Sequence, residues 1–222
     1  IDHILGLFRL WWLPADETPA DGTYVYFDHE AMIGVLLLEA HRSGAILIGE
    51  DLGTVEPWVR EYLSERGVMG TSVNTHDLPP TMGYLNGIQT TLRDEMDLLV
   101  DDVEDVRERD RIELEKTNAR LTEYGLVPAD PTQQQVIEAL HRYTARTPSR
   151  LVAAALVDEV GEARPQNFPG TEHEYPNWRV PLADQDGKRV WLEDLQERSN
   201  EDREDSVFAT MREEFGRERR PV

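Results

Sequence analysis

Cysteine is absent from all 222 residues, so neither disulfides nor thiolate metal ligands are available to this chain. Positive charge is scarce. Lysine and arginine together number 23 against 44 acids, a net charge of −21, and only Lys116 and Lys188 are lysines. A surface that acidic repels phosphate backbones and anionic lipid, which excludes nucleic-acid and membrane-surface binding through general electrostatics. It suits a neutral substrate, which needs no steering. No apolar run is long enough to span a bilayer, and the opening IDHILGLFRLWWLP has neither a basic segment nor a small-residue cleavage site. The expectation is a cytoplasmic protein. The residues present, 39% hydrophobic and 30% charged, are those of a globular chain with one sizeable core or two small ones.

The first 85 residues alternate strand-like and helical patterns. YVYF follows the turn signals of PADETPADG, then EAMIGVLLLEAHRS repeats its apolar positions at three and four residues, with Gly44 as the stop. AILIGED reads as a strand buried on both faces. TVEPWVREYLSERG reads as an amphipathic helix capped by Thr54, and GVMGTSV as a further short strand. Alternation of this kind predicts parallel α/β architecture.

From residue 88 the chain turns long, charged and periodic. Leu92, Met96, Leu99, Val103 and Val106 form a thin apolar stripe, which predicts one or two surface helices whose acids make a solvated face. QQQVIEALHRYTAR predicts another helix. RLVAAALV, preceded by Pro148 and Ser149 and followed by acids, reads as a buried strand, ARPQNFPGTEHEYPNWRVPL as a loop, and the tail beyond Val190 as helical. Three regions follow: 1–87, strands bearing acids; 88–147, a helical insertion; and 148–222, a last strand, a loop and a C-terminal helix.

Three acids stand at the ends of apolar runs: Asp2 in IDH, Glu50 in GEDLG and Asp77 in NTHDLPP. In barrels of alternating strands and helices, strand ends carry the chemistry. Two carboxylates across a substrate suit glycoside chemistry, and a third nearby anion keeps the acid protonated near neutrality. Taken singly, each acid reads first as a surface or capping residue, and spacing leaves the convergence of the three open. His3 and His76 lie beside two of them, but without helical ligand spacing they make a weak metal signal. Trp11, Trp12, Trp58, Trp178, Tyr84 and Tyr175 offer faces on which sugars stack. Trp11 and Trp58, in apolar or amphipathic runs, read as core, and Trp178, in a polar loop, as a binding surface.

IDHILGLFRLWWLP, IGEDLGTVEPWVREYL, NTHDLPPTMGYL and QNFPGTEHEYPNWRVPL, in this order over residues 1 to about 182, resemble the 4-α-glucanotransferases, the amylomaltases or disproportionating enzymes of glycoside hydrolase family 77. The resemblance implies an α/β fold, the C-terminal half of a (β/α)8 TIM barrel with a helical, acidic insertion. Asp2 matches the family's nucleophile, Glu50 its acid/base, and Asp77 the third carboxylate, which stabilises the distorted sugar. His76 matches a residue bonded to that sugar. The loop of Asn167, Pro169 and Gly170 matches a lip of the glucan groove, with Trp178 nearby.

The implied reaction transfers α-1,4-glucan segments between maltooligosaccharides by a retaining two-step route through a covalent glucosyl-enzyme, with no cofactor and no metal. A hydrolase of the α-amylase type and a non-catalytic glucan-binding relative are the alternatives. Against the family pattern, the arginine two residues before Asp2 has no position here, the earlier strands are absent, and Val73 runs directly into Asn74, where the family carries a further stretch. The expectation is that these residues belong to a longer enzyme and that alone they neither fold well nor turn over, the partner they need being the remainder of the same enzyme chain.

Overall fold

A computed structural model describes residues 1–51, 55–68, 75–147, 152–200 and 206–216, except the side chains of 199 and 200. The chain divides into two compact units, Ile1–Gly70 and Thr71–Val222.

In the first unit a 3₁₀ turn, Ile4–Leu7, leads into strand β1 (Arg9–Trp12), which pairs antiparallel with β2 (Thr23–Tyr26) from Arg9↔Tyr26 to Trp12↔Thr23. Helix α1 (His29–Ser43) starts where the Asp28 carboxylate accepts the Ala31 amide at 3.0 Å. It stops at Gly44, whose left-handed φ of +66° returns its own N–H to the last turn, as the sequence predicts. Helix α2 (Pro57–Glu65) is capped at Glu56, with Pro57 at a position where no amide donor is needed. Thr54, the expected cap, lies outside the described residues. So do Val73, Asn74 and all but Gly67 and Val68 of the strand expected over GVMGTSV. Ile4, Leu5, Phe8, Ile33, Val59, Leu63 and Val68 form the core. Each such side chain, once buried, contributes about 1.5–3 kcal/mol of transfer free energy.

Two expectations for this unit are corrected. AILIGED forms no strand beyond a single bridge at Ile48, and Ile46 and Ile48 are exposed. Leu47, between them, packs against the core, so one face of the segment is covered and the other is open. Trp11 and Trp58 are also not core residues, at 48% and 45% exposed. Each has an indole N–H needing an acceptor, and each finds one at the surface: Pro19 O for Trp11 (3.2 Å) and Glu56 for Trp58 (2.8 Å).

The second unit is helical. Its elements are α3 (Thr81–Leu85), α4 (Ile88–Glu95), α5 (Val103–Glu123), α6 (Gln133–Ala145), α7 (Leu156–Val160), α8 (Leu192–Asn200) and α9 (Val207–Gly216). The stripe from Leu92 to Val106 is half-buried along α4, α5 and their connection. Helix α5 contributes Leu121 as its buried residue and carries surface pairs such as Arg107–Glu104 and Arg120–Glu123. Exposed pairs of this kind contribute about 0–1 kcal/mol each. Helix α6 opens on a reciprocal cap between Thr132 and Gln135, and it buries Ile137 against Met82, Ala145, Val207 and Met211.

The strand expected over RLVAAALV is corrected where it is described. Leu156 and Val157 begin α7, and the acids after them, Asp158 and Glu159, are buried rather than lifted to a surface. Pro148 and Ser149 lie outside the described residues. The tail holds two helices, α8 and α9, rather than one. Among the described residues no helix is long and apolar enough to cross a membrane.

Candidate active site

Chain order separates Ile1 from Gly49, yet the backbone brings their segments side by side. The Ile1 amino group donates to Ile48 O (2.6 Å), Glu50 N to Ile1 O (2.9 Å), and Ile4 N to Glu50 O (2.9 Å). Donors and acceptors alternate as both segments advance, which is the step of neighbours running in the same direction. Gly49 permits this approach, because a Cβ there would meet the Ile4 side chain at 3.0–3.1 Å. The next residue on one segment is Asp2, exposed; on the other it is Glu50, half-buried. Glu50 Oε2 accepts the His3 amide at 3.0 Å. A charge-assisted bond of this kind holds the carboxylate beside the backbone that carries Asp2. His3 itself takes a left-handed φ of +45° as the chain enters the 3₁₀ turn.

The second unit assembles the other residues. Asp77 lies on the turn before Pro79 and Pro80, its side chain 46% exposed. Asn167 donates its amide to Asp77 Oδ1 at 2.6 Å, and His76 Nε2 lies 3.4 Å from Oδ2. The His76 ring is tilted against the indole of Trp178, with centroids 5.3 Å apart. Trp178 holds a left-handed φ of +61° while its N–H bonds Gln166 O at 2.8 Å, and its ring is 64% exposed. Thr75, His76, Leu78, Pro80, Val157, Gln166 and Trp178 line a cleft of about 180 Å³. Pro169 and Gly170 are exposed at the tip of the loop, Gly170 with φ +91°.

The loop is held from inside. Asn177 accepts the Phe168 amide (2.7 Å) and donates to Thr171, Phe168 is buried against Tyr175, and the Tyr175 hydroxyl bonds Pro165 O. Glu162 accepts from Ala163 N, Arg164 N, the Arg164 guanidinium and Ala183 N, closing the loop's two ends on one carboxylate. Burial pushes that carboxyl up, but Arg164 and the amides outweigh it and hold it below the usual range. Neither Asn177 nor Glu162 stood out in the sequence. The available signal was polar residues in a Pro-rich stretch without helical or strand period, whose backbone groups need side-chain partners.

A larger cavity of about 420 Å³ opens between α4 and α5, lined by Tyr84, Arg93, Asp101, Arg109, Asp110 and Glu113 among others. It contains none of the residues the sequence singles out as catalytic, and two of its acids are engaged locally, Asp101 by Arg109 and Asp110 by Thr90. Among the described residues no three His, Asp or Glu side chains gather to hold a metal ion.

Residues 1–74 and 71–186 match the model of glycoside hydrolase family 77, described as 4-alpha-glucanotransferase. The chain belongs to this family. The 4-alpha-glucanotransferase of Mycobacterium tuberculosis is 50% identical over 226 residues, covering 88% of this chain and 31% of the relative. That of Haemophilus influenzae is 28% identical over 216 residues, covering 82% and 31%. The crystal structure of amylomaltase from Corynebacterium glutamicum superposes with a TM-score of 0.81 at 38% identity, over 96% of this chain and 34% of that one. The fold is accordingly α/β. The family 77 chain spans about a third of the length of these relatives. Its family match falls in two pieces that meet at 71–74, where Val73 runs into Asn74.

Proposed function

We propose that this family 77 chain carries the catalytic carboxylates of a 4-α-glucanotransferase, within the C-terminal half of a (β/α)8 barrel. Asp2 attacks the anomeric carbon of an α-1,4-linked glucose, and its carboxylate oxygen forms the glycosyl–enzyme bond. Glu50 gives its proton to the departing 4-oxygen. The shortened glucan leaves, and Glu50, now ionised, takes the proton from the 4-hydroxyl of a second glucan as that oxygen displaces Asp2. Two inversions at one carbon return the α-linkage. Asp77, with His76 and Asn167 on its two oxygens, stabilises the positive charge and distortion of the sugar at the cleaved bond. Asn167, Pro169, Gly170 and Trp178 form the lip against which the glucan lies.

One observation carries the assignment of Asp2 and Glu50: they sit on adjoining backbone segments, joined by the bond from His3 N to Glu50. A retaining pair works at about 5–5.5 Å, a separation within reach of two acids carried on neighbouring backbone segments.

The same reading makes donor and acceptor maltooligosaccharides or other α-1,4-glucans, needs no cofactor, and puts the enzyme in the cytoplasm. The activity is expected of an enzyme with its relatives' full length. Maltotriose incubated with that enzyme should yield glucose and a ladder of longer glucans, with total reducing ends conserved. Rising reducing ends would instead make it a hydrolase. Glucan binding without redistribution, unaffected by Glu50→Gln, would make it a non-catalytic relative.

A further inference from the structure

Five residues at the end of α7 and just beyond it place Asp158, Glu159 and Glu162 inside the second unit, at 0%, 6% and 2% exposed. Carboxylates are rarely buried so completely, and each of these is spent on a different segment. Glu159 accepts from Ser206 and Phe208 N at the start of α9. Glu162 closes the loop that carries Asn167 and Trp178. Asp158 reaches the turn that carries Asp77: it accepts Thr81 N at 2.8 Å and the Thr81 hydroxyl at 2.7 Å.

The bond to Thr81 is stiffly connected to Asp77. Only Leu78, Pro79 and Pro80 separate them, and the two proline rings lock two of the intervening φ angles. Pro79, Pro80 and Thr81 are all buried, so the turn has little room to pivot. Helix α3 is pressed onto the turn after α7, where a Cβ at Gly83 would come within 2.1 Å of Ala163 O. Behind Asp158 stands His141, wholly buried on α6. Its Nδ1 is 3.0 Å from Ile137 O, and since a carbonyl only accepts, Nδ1 carries a proton and Nε2 faces Asp158 Oδ2 at 3.5 Å. Val157, next to Asp158, lines the cleft of His76 and Trp178.

We infer that Asp158, backed by His141, is a positioning residue for Asp77: the two hydrogen bonds it accepts from Thr81 set the turn at the point where the Asp77 carboxylate meets Asn167. This rests on the catalytic role proposed for Asp77. The acid does not touch substrate. It acts by keeping one side of the Asp77–Asn167 contact in register while Glu162, one turn on, keeps the other.

The test uses the full-length enzyme and maltotriose disproportionation, with thermal unfolding followed in parallel. Asp77→Asn first checks the underlying reading, and a variant that keeps wild-type turnover would overturn that reading and this inference with it. With Asp77 established, Asp158→Asn should lower kcat about ten- to a hundredfold, as expected for a misplaced catalytic group, while KM changes little. Asn167→Ala acts on the same carboxylate, so the Asp158→Asn/Asn167→Ala double variant should lose less than the product of the two single losses. Should Asp158→Asn fail to fold, Thr81→Val carries the same expectation, and Thr81→Ser, which keeps the hydroxyl, should restore turnover. Losses that multiply in the double variant, or unchanged kcat in a folded Asp158→Asn or Thr81→Val, would overturn the positioning role and leave the catalytic reading intact.

Discussion

The side-chain amide of Asn167 donates a 2.6 Å hydrogen bond to the carboxylate of Asp77 across ninety residues of chain. A bond to an ionised acceptor is worth about 1.5–3 kcal/mol, so Asn167→Ala should lower kcat/KM about ten- to a hundredfold. Asn167→Asp should cost more. It puts a second anion at the same distance and drives one of the two acids to take up a proton. Steady-state transfer between maltooligosaccharides, measured for both variants, checks the order.

Glu50 is the proposed acid and base, and Asp2 the proposed nucleophile. Positioned acid–base groups contribute about 10²–10⁴-fold. Glu50→Gln should therefore abolish most redistribution while glucan binding, followed by calorimetry, survives. Asp2→Asn should remove the covalent intermediate, so that a slow-reacting fluoro-sugar donor labels wild type and leaves the variant unlabelled in intact-mass measurement.

Trp178 combines an exposed ring with a left-handed backbone. A non-glycine residue in that conformation costs about 1–2 kcal/mol. Trp178→Ala and Trp178→Gly both remove the ring beside His76, and both should raise KM for short donors several-fold. Trp178→Gly should be the more stable of the two by about 1 kcal/mol, read as a higher melting temperature. Equal KM in wild type and both variants would remove Trp178 from the groove.

Glu162 gives the second unit a pH dependence of predictable sign. Burial opposes its ionisation, but Arg164 and three backbone amides leave its folded value below the ordinary 4.5. A depressed carboxyl contributes stability that is present above its unfolded value and is lost as pH falls through the folded one. Asp158 works in the opposite direction: burial raises its carboxyl, against the Thr81 bonds and His141, so its contribution is present at low pH and is lost as pH rises through its folded value. Thermal unfolding between about pH 3 and 6 should thus show wild type losing its margin over Glu162→Gln as the medium acidifies. A margin that is constant with pH would contradict the ion pair.

Much of the helical fold was legible because its signals are local. Gly44, read as a stop, ends α1 through bonds made within a few residues. The stripe from Leu92 to Val106 announces its half-buried face in the same way. Burial was harder to read, because it depends on what else packs nearby. Ala45–Asp51 has the composition of a covered strand, but only Leu47 packs against the core, and Ile46 and Ile48 are exposed. Leu156 and Val157 have strand-like side chains, yet they start a helix whose acids turn inward.

By itself the sequence determined the family, through four motifs in order, along with the identity of the candidate carboxylates and the acidic charge balance. Those properties reside in residue type and order. Only the tertiary structure decided that His3 N meets Glu50, that Asn167 meets Asp77, and that Asp158, His141 and Glu162 stand behind the turn and the loop. Apart from the local Arg164–Glu162 pair, these contacts join residues seventeen to ninety positions apart, as in Asp158 to His141 and Asn167 to Asp77. A buried carboxylate takes whichever donors the packed chain brings to it, since the alternative is an unpaired charge in a medium that solvates it poorly.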